Sequence, residues 1–348
     1  MPIATMDAIR GRTLRVVGPL APSLLRDRDR RVAAYGLVAI ALALVLTLAA
    51  PMALLAVGPL VLGVPHLVAD VRYLVARPRL HRRAGFWLAV AAPAGAAFLH
   101  PHAWVSAVAI VGAAVVARAC WMRRAVVATA ALALVALAYE SGRVADLALA
   151  HAHNVIAVAL FWAWSRRRSR LHLLVIGAFA AGVVAIALGA LDGAPASRFA
   201  GSRLLDAEWI ASTLAPLSDP VLSLRLVLVF AFAQSVHYGV WVRLVPEEDR
   251  PRPGLRSFTS SVRALVADLG LPFVVLASVV AGSLALWGAI SLAAARDGYL
   301  RLAIFHGPLE LGAATLLLLE RGRIGAGRAP PAPAKTGESE RSATGPSS

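Results

Sequence analysis

Long apolar runs separated by short arginine-bearing turns dominate the chain, and their lengths predict its elements. A helix that crosses a bilayer needs about 20 mostly apolar residues. Runs of that kind fall at about 32–50, 52–75, 84–99, 103–117, 125–139, 144–164, 171–191, 221–244, within 262–294 and at 299–319. The pattern reads as an all-α polytopic membrane bundle of about ten spans. The ninth run is too long for one straight crossing, and Pro272 places an interfacial turn before it. The longest connection, 192–220, carries Pro, Ser, Asp206, Glu208 and Trp209 and reads as a structured or interfacial loop. Three regions follow: a basic N-terminal segment over 1–31, a transmembrane domain over 32–320, and a tail over 321–348. The tail is rich in Pro, Gly and Ser, buries no core and is expected to be disordered.

Composition agrees with the pattern. Of 348 residues 59% are hydrophobic and only 16% charged, against about 25% charged in soluble domains. The net charge of +16 would in a soluble protein suggest nucleic acid. Here the basic residues are nearly all Arg and sit at the ends of apolar runs, where topology and anionic lipid headgroups place them, so no nucleic-acid partner is expected. The N-terminal segment, the loops after even-numbered spans and the tail are the arginine-rich ones. The positive-inside rule then puts both termini in the cytoplasm. Arg26, Arg28, Arg30 and Arg31 precede the first span as at a retained cytoplasmic end, with no signal-peptide pattern before them. The single cysteine, Cys120, rules out an intramolecular disulfide and a thiolate metal cage within one chain.

Ionisable groups at membrane depth are costly and mark function by default. Among nine histidines, His81, His100, His102 and His172 fall in turns or at span ends. The other five lie inside spans: His66 in the second, His151 and His153 in the sixth, His237 in the eighth and His306 in the tenth. All four spans are even-numbered and run in parallel. Helical rise puts these histidines at depths of about 10 to 24 Å, compatible with one shared site. Residues four apart share a helix face, so Asp70 accompanies His66 and Glu310 accompanies His306. Gln234, His237, Tyr238 and Trp241 also form one stripe. His151 and His153 point about 200° apart, so only one of them is expected to face the site. Arg72 and Arg225, in or near spans, fit an anion route or carboxylate pairs.

Imidazoles without thiolates suit iron, copper or zinc, and a non-haem iron with open positions binds oxygen. Asp70 and Glu310 would orient the ligand imidazoles from behind, with Tyr238 the nearest phenol to a bound oxygen. The same groups would equally serve a proton- or ion-coupled transporter. A bis-histidine haem protein and a structural factor without chemistry remain as further alternatives.

Gly63, Pro65, His66 and Asp70 make a G-x-P-H-x-x-x-D pattern. His151 or His153 follows in a middle span, then His237 before Tyr238 and Trp241, then His306. This order resembles the Brp/Blh-type membrane β-carotene 15,15′-dioxygenase family, which cleaves carotene to retinal. The likeness covers four short patches. It departs at Leu67, where the family has glycine, and at Ala233, where the first of a histidine pair would stand; the middle motif also lacks its trailing acid, and the chain has an extra N-terminal span. The resemblance implies an enzyme of a bacterial inner membrane with non-haem iron (Fe2+) held by His66, one of His151 and His153, His237 and His306. Its partners would be membrane lipids, an apolar isoprenoid- or carotenoid-like substrate, and O2.

Overall fold

The computed structural model describes residues 26–164, 170–190, 192, 207–249 and 257–320, together with Thr5, Ala8, Ile9, Arg12 and Leu24. The tail and most of the N-terminal segment lie outside these. The described residues form helices and turns, with no strand among them. Twelve helices are labelled here in chain order. They are α1 (Arg28–Ala49), α2 (Pro51–Ala76), α3 (Ala84–Ala96), α4 (Ala103–Val116), α5 (Trp121–Ser141), α6 (Arg143–Trp164), α7 (Leu171–Ala187), α8 (Ala207–Leu214), α9 (Pro220–Glu248), α10 (Phe258–Leu269), α11 (Leu271–Ile290) and α12 (Leu292–Leu319).

Each apolar run read from the sequence has a helix in its place. Among the described residues, however, only six are long and apolar enough to cross a membrane: α1, α2, α5, α9, α11 and α12. Helices α3, α4 and α7 are apolar but shorter. Helix α6 has 22 residues but carries Asp146, His151, His153 and Asn154. Where a turn was expected before Pro272 stands α10, an amphipathic helix with no fully buried residue, capped at its end by Gly270. Part of the 192–220 connection is helical, as α8.

The outward faces are greasy. Leu42 on α1 and Leu286 on α11 are 56% and 68% exposed, as a helix expects only where its solvent is lipid. The interior is built mainly from α1, α2, α4, α7, α9 and α12, with Trp162 from α6 fully buried among them. Phe179 of α7 stacks on Phe232 of α9 with ring centres 5.6 Å apart.

Prolines shape the helices that carry the site. A helical proline cannot donate to the carbonyl four residues back, and its ring collides with that carbonyl. Among the described residues four wider π turns occur, at Pro59–Gly63, Val71–Ala76, Trp87–Ala91 and Val240–Leu244. Each contains the residue four before a proline: Val61 before Pro65, Leu74 before Pro78, Ala89 before Pro93, and Val242 before Pro246. Helix α12 breaks between Ala303 and His306, where Ile304 stands four before Pro308. The widened turn moves the obstructing carbonyl aside instead of ending the helix.

The arginine-rich ends are tied by ion pairs. Arg31 meets Glu247 at 2.7 Å with both side chains buried. Arg72 meets Asp268 at 2.7 Å, Arg77 meets Asp249 at 2.8 Å, and Arg83 meets Glu320 at 2.8 Å. Arg225 pairs with Asp192. Both in-span arginines therefore hold carboxylates, the second of the two roles their position suggested.

Candidate metal centre

Four helices converge on one buried cluster. His66 and Asp70 come from α2, His153 from α6, His237 from α9, and His306 and Glu310 from α12. The stretch of α2 that carries the first two, Val64–Asp70, is regular α-helix held between two of the wide turns. His237 lies just ahead of a third, and π turns inside α-helices often sit at functional sites.

Glycine at position 63 has a specific cause. A Cβ there would fall 2.2 Å from Cζ of Tyr299 and 2.5 Å from its hydroxyl. The missing side chain admits the Tyr299 ring, brings α12 against α2, and fixes the approach of their polar faces.

His66 Nε2 lies 2.7 Å from His237 Nε2, 3.6 Å from Asp70 Oδ2 and 3.8 Å from Glu310 Oε1. His153 Nε2 lies 3.3 Å from Glu310 Oε2. Ring centres are 5.4 Å apart for His66 and His306, 5.0 Å for His153 and His237, and 5.0 Å for His153 and His306. His306 Nδ1 meets the carbonyl of Ala303. A carbonyl only accepts, so Nδ1 carries the proton and Nε2 keeps a free lone pair. The break in α12 therefore sets the tautomer of one member of the cluster.

The polar atoms here are short of partners. His66 Nδ1, His153 Nε2 and His237 Nδ1 are buried without a hydrogen bond, and the carboxyl groups of Asp70 and Glu310 lie against each other. Among the described residues, no arginine or lysine pairs with Asp70 or Glu310. Buried polar groups are normally satisfied, and two carboxylates at this depth call for protons or a cation. Ligand atoms of His66, His237 and Glu310 all lie within 4.8 Å of one another, the spacing of groups that can share one ion. Two carboxylates and neutral imidazoles balance the charge of a divalent metal.

The cluster gathers His66, His153, His237 and His306 and leaves out His151. His151 Nε2 instead donates to the carbonyl of Leu214 at 2.8 Å, and its ring packs edge-on to Phe230 at 5.3 Å. Glu310 stands between His66 and His153 and does not orient His306, its neighbour one turn away. Asp70 lies beside His66 as its spacing suggested. Tyr238 packs edge-on to His66 at 5.2 Å, and its hydroxyl is hydrogen-bonded to that of Tyr299. The apolar pattern does not single out Tyr299. Its spacing of seven from His306 puts it on the same face, which was the available signal. Trp241 stands edge-on to His66 at 6.3 Å.

Two cavities reach the cluster. One is apolar, with Leu74, Ile156, Phe161 and Trp241 in its wall and His153 and Glu310 at its end. The second approaches from the turn before α4 and also touches His153, together with His306. Comparison with family models, with characterised proteins and with solved structures finds no match for this chain.

Proposed function

We propose that the chain is a multi-pass protein of a bacterial inner membrane, with about ten spans and its arginine-rich ends in the cytoplasm, and that it is a non-haem iron oxygenase-like enzyme. Its substrate class is an apolar isoprenoid or carotenoid-like lipid. The observation that carries this reading is the convergence of His66, His237 and Glu310 from three helices, with ligand atoms all within 4.8 Å of one another, and of His153 from a fourth helix beside Glu310. A non-haem iron bound there supplies open coordination positions and redox chemistry toward O2.

The chain's own residues supply the rest. The imidazole nitrogens of His66, His153, His237 and His306 and the carboxylate of Glu310 form the donor set. Asp70 lies against His66 and holds its ring in place. The phenol rings of Tyr238 and Tyr299 stand beside His66 and Gly63. Leu74, Ile156, Phe161 and Trp241 give the first cavity an apolar wall, a lining that suits a lipid-dissolved reactant better than a charged one.

Purified protein in detergent tests the reading through its bound metal and visible spectrum. About one iron per chain and no Soret band are expected, with His66→Ala and His237→Ala losing the metal and His151→Ala keeping it. A Soret band would mean haem. No metal in the wild type would remove the enzyme reading.

A second reading is favoured by one contact. Without a metal, two imidazole nitrogens 2.7 Å apart need a shared proton, as in a proton-coupled transporter. Proton uptake by metal-free protein in vesicles, lost in His237→Gln, separates that case.

A further inference from the structure

Both cavities are lined mainly by apolar surface, but the second carries polar side chains at intervals from its mouth inward. Its mouth is at the end of the bundle opposite the arginine clusters, beside the His100-Pro101-His102 turn. There Asp146 takes the backbone N–H of Ala103 at 2.7 Å through one oxygen and meets His102 Nδ1 at 3.1 Å through the other. His102 is 49% exposed and Asp146 29%. Behind this pair the wall carries Ser106 and Ala150, and the cavity ends at His153 and His306. Asp146 and His153 are seven residues apart on α6, two turns on one face, which spans about 10 Å of depth. No arginine lines this cavity, although the chain has so many. A carboxylate and an imidazole at the mouth and two imidazoles at the end form a graded set of oxygen and nitrogen donors, repeated along one path. That path suits a hydrated cation and repels neither end of its journey. The apolar cavity has no such donors before it reaches the cluster.

We infer that this cavity is the entrance by which a divalent metal cation reaches the buried histidines, with the His102–Asp146 pair as its first docking point. The inference rests on the metal-centre reading. It assigns separate routes to the two kinds of cargo: the ion enters from the end of the bundle, and the apolar reactant through the greasy wall.

Two measurements test it. Full-length protein stripped with chelator is mixed with Zn2+ or with anaerobic Fe2+, each alone, and uptake is followed against a chromophoric chelator. The His102→Gln/Asp146→Asn variant keeps the acceptor for Ala103 N–H, so the fold is retained. Its uptake is expected to slow by about tenfold with unchanged final stoichiometry. Uptake at the wild-type rate overturns the inference. In a Cys120→Ser background, Ser106→Cys is exposed to a small charged methanethiosulfonate. Reaction in the folded protein is expected; reaction only after denaturation also overturns it. If wild-type protein takes up neither ion, the metal centre fails and the cation cargo fails with it, and the thiol result then tells whether a hydrated cavity exists at all. Normal wild-type uptake with an inert thiol leaves the centre standing and removes only the route.

Discussion

At the scale of single residues, the chemistry depends on small spatial exclusions as much as on the histidines. Gly63 is the sharpest case, because any Cβ there meets the Tyr299 ring. Gly63→Ala is expected to cost about 1–3 kcal/mol through overpacking, more than the up to about 1 kcal/mol that alanine gains over glycine in a helix. Thermal unfolding in detergent should show a lower Tm. The control is Gly58→Ala on the same helix, where a Cβ meets open space, and its Tm should hold or rise. His66, His237, His306 and their acids were legible in the sequence because a polar group inside a greasy run stands out at once. The choice between His151 and His153 was not legible. Their opposite directions are dictated by helix geometry, but which one faces the centre is decided by the Leu214 carbonyl, far along the chain. Glu310 likewise found its partners on α2 and α6, across gaps that spacing along α12 cannot reveal.

At the scale of elements, helix positions were readable from apolar runs, and their internal irregularities were not. The wide turns follow from prolines four residues later, and arithmetic on Pro65, Pro78, Pro93 and Pro246 would have located them. The ends of the helices are held by ion pairs of unequal worth. Arg31 and Glu247 are buried at 2% and 1% side-chain exposure, so Glu247→Gln leaves a buried guanidinium without its counter-charge. A loss of about 3–5 kcal/mol is expected, read from unfolding in detergent, with Arg83→Gln at the more open pair costing less. Asp249, just past the end of α9, has its carboxyl pushed up to about 6 by burial, with the Arg77 guanidinium pulling the other way. Its folded form therefore binds a proton more tightly than its unfolded form, whose ordinary value is about 3.9. Wild-type stability should fall, relative to Asp249→Asn, as pH rises from about 4 to about 6, and the difference should level off above that. Melts of both proteins across this range check the sign; a constant offset would contradict it.

At the scale of the whole molecule, helix number and membrane topology part company. Among the described residues six helices have the length and apolarity to cross a bilayer, while α3, α4 and α7 are short and α6 is polar on the face it turns to the cluster. Short helices inside a bundle are shielded by their neighbours and do not need a full apolar run, so ten crossings remain compatible with these lengths. Reporter fusions decide it. Alkaline phosphatase joined after Arg82 is expected to be inactive and joined after His102 active, placing the arginine clusters and the cavity mouth on opposite sides. Activity at both points, or at neither, would remove α3 from the set of crossings. The wide turns in α2, α3 and α9 carry one last consequence. A π turn holds one residue more than an α turn, so each is a place where the chain has stored an insertion. Loss of a single residue at Val61 together with Pro65→Ala would let the helix close up as ordinary α-helix with its downstream face unrotated. The same deletion at Val57, in regular α-helix, would swing His66 by about 100° and carry it out of the cluster. Tolerance to deletion along these helices should therefore be patchy, and its permitted positions should trace the prolines.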